Sequence, residues 1–540
     1  MRPRTGIAAF LSAASVAGVL AAATAAGATT SHAAQSTSIV PGDLLVSTSN
    51  YVDGHNITAG KTQLPPGCTG SDCVTASAGS NYPYTFNNDG TDGSFGVVSP
   101  LSLQELTAGG QHVGTIPVPS SELNTSFSSK SEGALNLSPD GKTLSFIDYD
   151  APVDAIDASN ANTPGVIDPT NPVPGAYYRA VAQLTQNGKF TFTRSNAYSG
   201  NNGRAAVSAV VGGKDYIYTA GNAGNGSNPQ PDGVILGAGA QIMSPSSLPE
   251  SQQKPGQPTP VGSFNLAKLG DAQDKVGKDD NFRGLTLFNN VLYYTKGSGG
   301  NGVNTVYFLD TTGKACPNGV GVPSPGAKLP TSGLAYDEST LQSGGLPSNM
   351  CVLKGFPTAL AKGATDSSDY PFGLWFANPD TLYVADEGAG DNTYADGSYT
   401  AAAASATAGL QKWVFDKASG EWKLAYTLRS GLNLGTPYTV KGYPAGDNPA
   451  TGLPWAPATD GLRNIDGKVN ANGTVSIWAV TSTVSGGGDQ GADPNQLVKI
   501  TDSLNATSAP SGEKFSTVVP ATSDQVVRGV SFTPGTTPSR

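Results

Sequence analysis

The sequence predicts an all-β chain closed into a single propeller of six blades, with seven as the alternative. Three observations predict it: a two-strand unit recurs along the chain, a sixth copy of that unit is divided between the chain's two ends, and the composition favours turns over helices. The 540 residues include 69 glycines and 39 prolines, and 37% are hydrophobic, gathered in short β-branched and aromatic runs. That apolar content supports a packed core and sets the chain apart from disordered sequences.

The recurring unit is a short strand, a tight turn and a second strand that ends in small or polar residues. It reads EGALNLSPDGKTLSFIDYD at 132–150, GRAAVSAVVGGKDYIYTAGN at 203–222 and FRGLTLFNNVLYYTKGS at 282–298. It returns as FGLWFANPDTLYVADEG at 372–388 and LRNIDGKVNANGTVSIWAVTS at 462–482. The PDG, NN, NPD and NG strings between the strands supply the tight-turn or positive-φ geometry that hairpins need. One or two further strands follow each copy, as in LQKWVFDKASGEWKLAYTL at 410–428, which completes a blade of four.

VVRGVSFTP at 526–534 matches a first strand and is followed by no second strand. GDLLVSTSN at 42–50 matches a second strand and lacks a first. Joined, they make the sixth blade, and the C-terminal strand then closes the ring so that no strand edge stays open. The seven-blade alternative places a degenerate blade between about 311 and 369.

The N-terminus reads as an export leader. Arg2 and Arg4 precede an alanine-rich apolar run from about Ile7 to Ala26, and small residues offer cleavage after Ala28 or Ala34. The expected organisation is a signal peptide over 1–34 and one propeller domain over 35–540, in a secreted, extracellular protein. Removing the leader takes away two arginines and no acid, so the formal net charge goes from −10 to −12. An acidic chain with 13% charged residues is not expected to bind nucleic acid, and no later segment has the apolar length to span a membrane. A monomer is expected.

Four cysteines allow three pairings. Cys68–Cys73 and Cys316–Cys351 are expected, because each closes a loop between neighbouring strands in an oxidising compartment. A metal site is the rival reading; after the leader, however, only His55 and His112 remain, and neither has zinc-finger spacing.

Loops leaving second strands and loops entering first strands share one face of a propeller. Here they are long: 51–93, 149–178, 386–408 and 483–494 after second strands, and 264–281, 356–371 and 429–461 before first strands. The turns on the other face are short, apart from the stretch after about Asp310. Function is therefore expected on the loop-rich face.

Aligning the first strands gives a column of Glu132, Arg204, Arg283, Phe372, Arg463 and Arg528, followed by a column of Gly133, Ala205, Gly284, Gly373, Asn464 and Gly529. First strands line the axis, so four arginines are expected at the channel mouth, where their planar forks suit carboxylate, sulfate or phosphate. Asp148, Asp150, Asp386 and Glu387, at the ends of second strands, are the acids placed to pair with them. Open to a ligand, the arginines are an anion site; paired, they tie the blades together.

The expected ligand-binding set is thus Arg204, Arg283, Arg463, Arg528, Glu132, Phe372 and Asp386, with Trp455 as the principal loop aromatic. Tyr82, Tyr84, Tyr177, Tyr178, Tyr198, Tyr394, Tyr438 and Tyr443 lie on or beside the same loops, as stacking surfaces for sugar rings or as plugs. Asx-rich strings at 87–93, 148–157, 386–397 and 486–494 offer oxygen ligands, with calcium as the candidate cofactor and Asp148, Asp150 and Glu387 as its ligands; none completes an EF-hand pattern. No nucleophile elbow, P-loop or dinucleotide fingerprint stands in its required setting, which leaves catalytic residues unassigned.

The strings SPDGKTL, DTLYVADEG and RGVSF resemble NHL, SMP-30/gluconolactonase and lactonase-like propellers. The succession NAYSGNNGRAAVSAV, PFGLWFANPDTLYVADEG and GLQKWVFDKASGEWKLAYTL resembles a set of secreted bacterial propeller proteins, over nearly the whole chain after the leader. The resemblance implies fold and export. In SMP-30 enzymes a Glu/Asn/Asn/Asp set holds a divalent metal at the channel; Glu132 matches one such place, whereas Arg204, Arg283 and Arg463 stand where metal-binding oxygens are wanted. That departure argues against lactonase chemistry. The sequence thus points to a propeller that holds an anionic or carbohydrate-like ligand over its channel, with an extracellular polysaccharide lyase or hydrolase on the same face as the alternative. In the lyase, a tyrosine or His55 removes the proton beside a neutralised carboxylate.

Overall fold

Alternating burial along the second strands shows how the chain assembles. In Leu44–Asn50, Leu44 and Val46 pack on one side and Leu45 on the other. In Thr381–Asp386, Tyr383 and Ala385 face one neighbour, and Leu382 and Val384 face the other. Both faces of each sheet are apolar, so each must stack against another sheet, and the period of two assigns its residues to two separate cores.

The computed structural model describes residues 38–53, 55–71, 73–77, 81–88, 95–129, 131–222, 239–248, 260–262, 281–298, 302–333, 349–361, 369–487 and 490–538. The leader over 1–34 lies outside them. The strands form six blades, antiparallel but for one pair in the fourth, five of four strands and one of five, around a common axis. The first strands are Gln525–Phe532, Asn136–Leu137, Gly203–Val211, Leu285–Phe288, Pro371–Asn378 and Ala458–Val469, in blades one to six. Among the described residues the only α-helix is the short Thr400–Ala404, and no helix is long and apolar enough to cross a membrane.

Blade one is the divided unit. Leu44–Asn50 pairs antiparallel with Gln525–Phe532 in the register Leu44↔Phe532 and Val46↔Val530, with a bulge at Ser47/Thr48. The C-terminal strand is therefore the innermost strand of the N-terminal blade. The seven-blade alternative does not form among the described residues. Val320–Gly321 and Met350–Leu353, the strands between 311 and 369, both join the fourth blade, where the first runs parallel to the second.

Both expected disulfides are present. Cys68–Cys73 closes the hairpin of Gln63–Leu64 and Val74–Thr75, with Cα atoms 5.6 Å apart. Cys316–Cys351 fastens the loop after Thr305–Leu309 to the strand that contains Cys351, with Cα atoms 5.9 Å apart. All four thiols are consumed, which removes the metal reading of the cysteines. Asp310 lies beside the second bridge, but the two sulfurs there are already bonded to each other.

The column of small residues forms the waist of the channel. A Cβ on Gly529 would lie 2.6 Å from Gly133 O and 3.0 Å from Ala134 Cα, and one on Gly373 would lie 2.4 Å from Arg463 O. On Gly284 it would fall 1.9 Å from Phe372 O. At these junctions the backbones of adjacent first strands touch, and only glycine leaves room for the approach. Asn464 uses its side chain instead, accepting a hydrogen bond from Val530 N at 2.7 Å across the junction of blades six and one.

Gly284→Ala should therefore destabilise the fold by roughly 1–3 kcal/mol through overpacking. Gly114→Ala, on the outermost strand of blade one with nothing within 4 Å of the added Cβ, should be within about 0.5 kcal/mol of the parent. Urea unfolding of the two variants measures the difference, and equal stabilities would contradict the waist.

Candidate functional site

One residue before the waist, on the loop-rich side, the arginine column converges as the strand alignment requires. Arg204, Arg463 and Arg528 are 5%, 6% and 5% exposed, and the Arg283 side chain is 12% exposed. Each guanidinium reaches a neighbouring element rather than open solvent. Arg463 Nε donates to Glu387 Oε2 at 3.2 Å, and Arg283 Nε lies 3.9 Å from Glu387 Oε1, so one carboxylate serves two arginines. Arg283 also donates to Ser298 Oγ at 2.9 Å and, from blade four, reaches Ser131 at the start of blade two. Arg528 donates to Ser49 Oγ at 3.1 Å and to the carbonyls of Ser126 and Phe127.

Arg204 differs from these. Its Nη1 donates to Asn281 Oδ1 and to Phe282 O, the latter at 3.1 Å, and no described group accepts from its buried Nε. It forms no ion pair among the described residues. Burial, and then the like charge of Arg283, lower its pKa to about 9. Arg283 is lowered by burial as well, with Glu387 opposing the shift and Arg463 adding to it.

The acids of the mouth are Glu132, Asp148 and Glu387. Glu132 is 1% exposed and accepts from Asn202 Nδ2 at 2.7 Å, from Tyr149 Oη, from Ser129 Oγ and from Ser131 N. Asp148 is buried close to Arg528: the Cβ position of Gly133 lies 3.0 Å from Arg528 Cβ and 3.6 Å from Asp148 Oδ2. Burial, and then the charge of Glu132, push the Asp148 carboxyl well above the ordinary range; Thr125 and Arg528 oppose that shift. Tyr149 is likewise pushed up by burial and by Glu132. Behind it, the buried Arg179 lies 5.0 Å from the Tyr149 ring centroid and donates to the carbonyls of Tyr177, Ser159, Ala161 and Asn201.

The other expected site residues lie elsewhere. Asp150 pairs with Arg194 at 2.6 Å, and Arg194 also holds Glu122 at 2.7 Å, on the outer part of blade two. Asp386 is buried and accepts from Tyr370 N and Gly388 N, each at 2.9 Å; burial raises its pKa to about 7. Thus of the four acids expected to pair with the arginines, Glu387 does so and Asp148 lies near one, while Asp150 and Asp386 are engaged elsewhere. Asp148, Asp150 and Glu387, the expected calcium ligands, are not among the described groups that gather within reach of one ion. Most of the 87–93 string and part of the 486–494 string lie outside the described residues.

Phe372 is buried where the strands cross, and its carbonyl accepts from Thr295 Oγ1 at 2.5 Å. Trp455 is 2% exposed, its ring centroid 5.1 Å from that of Tyr84 and 6.1 Å from that of Tyr443. Tyr82 packs among Tyr51, Phe86, Phe127 and Tyr443. These aromatics pin the loops to the scaffold. His112 is exposed on the outermost strand of blade one, and His55 is exposed in its loop.

Sequence reasoning missed Asn202, Asn281, Ser131 and Ser298. A signal was present for the asparagines: NGR at 202–204 and NFR at 281–283 repeat an asparagine two residues before a column arginine. Asn281 receives Arg204, and Asn202 reaches Glu132. This arrangement can hold a compact anion against guanidinium and amide donors, or simply lock six strands together.

No protein-family model matches the chain, and no curated protein matches it. Among solved structures, a thermostable family-43 glycoside hydrolase is 12% identical, with 72% of this chain and 96% of that chain covered and a TM-score of 0.28. A family-25 polysaccharide lyase, an ulvan lyase bound to -[GlcA(1-4)Rha3S]-, is 13% identical, with 73% and 74% covered and a TM-score of 0.28. A Synechocystis apocarotenoid oxygenase mutant is 8% identical, with 81% and 72% covered and a TM-score of 0.30. None of these likenesses bears on what this chain binds.

The raised Asp148 carboxyl gives a pH test of the mouth. The native state holds its proton at pH values where the unfolded chain, titrating near 3.8, has lost it. Its contribution to stability is therefore full below that value and is lost as pH rises through the folded value. Asp148→Asn, which mimics the protonated form, should be more stable than the parent by on the order of 1–3 kcal/mol at about pH 8 and should flatten the pH dependence. Urea unfolding across pH measures this, and parallel curves for variant and parent would refute it.

Proposed function

We propose that the protein is an extracellular binding propeller whose loop-rich face takes an anionic or carbohydrate-like ligand at the arginine-lined mouth. The observation that carries this reading is Arg204, a buried guanidinium beside Arg283 with an unsatisfied Nε and no carboxylate partner among the described residues. Four guanidinium groups meet Glu132 and Glu387 and a third carboxyl, Asp148, whose burial favours its protonated form. The excess charge is positive in a chain whose net charge is −10. A carboxylate or sulfate supplies paired acceptors to such a fork, and uronates and sulfated sugars carry both groups.

Binding is favoured over elimination because the carboxylates of the mouth are engaged by its own arginine, amide and hydroxyl groups. Tyr149 is held protonated, His112 is exposed on the outermost strand of blade one beside Thr115, and His55 is exposed in its loop. A hydrolase is the second reading, supported by Glu132 and Asp148: two neighbouring carboxyl groups of which one is driven toward its acid form, as a general acid and its partner require.

Calorimetry against sulfated and uronate-containing oligosaccharides, with and without calcium, tests the binding reading. Arg204→Gln should weaken binding about 10- to 100-fold, the loss of one charged hydrogen-bonding group. An unchanged affinity would sink the proposal. Release of reducing ends that disappears in Asp148→Asn would favour the hydrolase instead.

A further inference from the structure

Below the waist, on the turn-rich face, the channel opens again into a chamber of about 250 Å³. Its walls are the C-terminal halves of first strands, and its rim includes the Asn289–Asn290 turn and the tail segment Thr536–Pro538. Asn289 and Asn290 both have positive φ, 49° and 60°, the backbone of a tight hairpin. The tail is fixed there by Gly535 N to Gly141 O at 2.7 Å and by Gly42 N to Thr536 Oγ1 at 2.8 Å. Nothing at the arginine mouth uses this chamber.

We propose that the turn-side chamber is a second binding site, for a single neutral pyranose ring. Size comes first: drug-sized ligands occupy roughly 300–1,000 Å³, so about 250 Å³ fits one ring rather than an oligomer. Charge comes next. Among the described lining residues the one carboxylate, Asp466, already accepts from Phe532 N at 2.8 Å, Gly467 N at 2.7 Å and Ser531 Oγ at 3.1 Å. Lys468 also lines the chamber, but its side chain is exposed to solvent, so among the described residues no buried, unspent charge remains for an ionic ligand.

The lining combines two surfaces that a pyranose needs. Trp375 is half-buried: one face of its indole is packed on Gly467, where an added Cβ would lie 2.8 Å from the ring, and the part left uncovered lines the chamber. Leu137, Leu287 and Phe288, also half-buried, extend that apolar surface. The second surface is backbone. First strands are edge strands, paired on one side only; side chains meet some of their open-edge groups, as Asp466 does Phe532 N and Asn136 does Ala206 O, and any unpaired group of such an edge needs a polar partner. Hydroxyl groups both donate and accept and can satisfy such edges, whereas a hydrocarbon leaves them unmet.

The test is saturation-transfer NMR and calorimetry with glucose, galactose, mannose and N-acetylglucosamine, alongside indole and glucuronate. At least one neutral sugar should bind with a Kd of about 1 mM or tighter. Trp375→Ala should weaken it by about tenfold or more, while Trp375→Phe, which keeps an aromatic surface, should stay within about threefold. Leu287→Trp, which fills the chamber, should abolish binding while a melting curve reports an intact fold. Arg204→Gln should leave it unchanged, which separates this site from the loop-rich mouth. Absence of neutral-sugar binding, binding of indole or glucuronate alone, or binding that survives both Trp375→Ala and Leu287→Trp would overturn the proposal.

Discussion

The constraint on which the molecule turns is the contact between first strands at the waist. Six blades must bring six inner strands to one axis, and at Gly529, Gly373 and Gly284 the backbone of one strand lies where a neighbour's Cβ would be. Side chains one residue earlier are then forced into close company. This is why four arginines, each unremarkable in its own strand, become a dense buried cluster, and why they need Glu387, serine hydroxyls and loop carbonyls around them.

The same geometry governs the spaces between blades. Each junction has its own apolar core, and each second strand feeds two of them by alternation. Where a charge enters a junction it brings its partners with it. Lys412 and Asp502, both fully buried, pair at 3.1 Å between blades five and six, and Tyr383 and Tyr426 complete the carboxylate's hydrogen bonds at 2.5 and 2.7 Å. Breaking such a pair costs far more than its net contribution to stability, so these groups fix the register of one blade against the next.

How far the sequence disclosed this depends on whether a feature is local. Hairpins are local, so turn strings between β-branched runs revealed five blades, and RGVSF at the C-terminus revealed the sixth. The waist was legible because small residues recur at one position of an aligned repeat. Side-chain partners were not, because they depend on distances between blades that no repeat encodes. Asp150 sits two residues beyond Asp148 on one strand and shares its face, yet it pairs with Arg194 on its own blade while Asp148 lies close to Arg528 of the neighbouring blade. Trp455 reads as a sugar platform until Tyr84 and Tyr443 close over it. Lys412, within a strand that looks amphipathic, gives no sign that Asp502 waits ninety residues on.

The waist also divides one channel into two chemically different ends. Toward the loops lie charge, amide donors and desolvation; toward the turns lie an indole, aliphatic walls and open backbone edges. The two ends are joined by the strands themselves. Ala458–Val469 carries Arg463 at the mouth, Asn464 bound to Val530 N at the waist and Asp466 bound to Phe532 N in the chamber, at 2.7 and 2.8 Å for the latter two. Gln525–Phe532 runs beside it with Arg528 at the mouth. A shift of either strand along the axis would have to break both side-chain bonds and slide glycine backbones past one another. The propeller is therefore a rigid spacer between its two ends, and any ligand at either end would meet groups already in place.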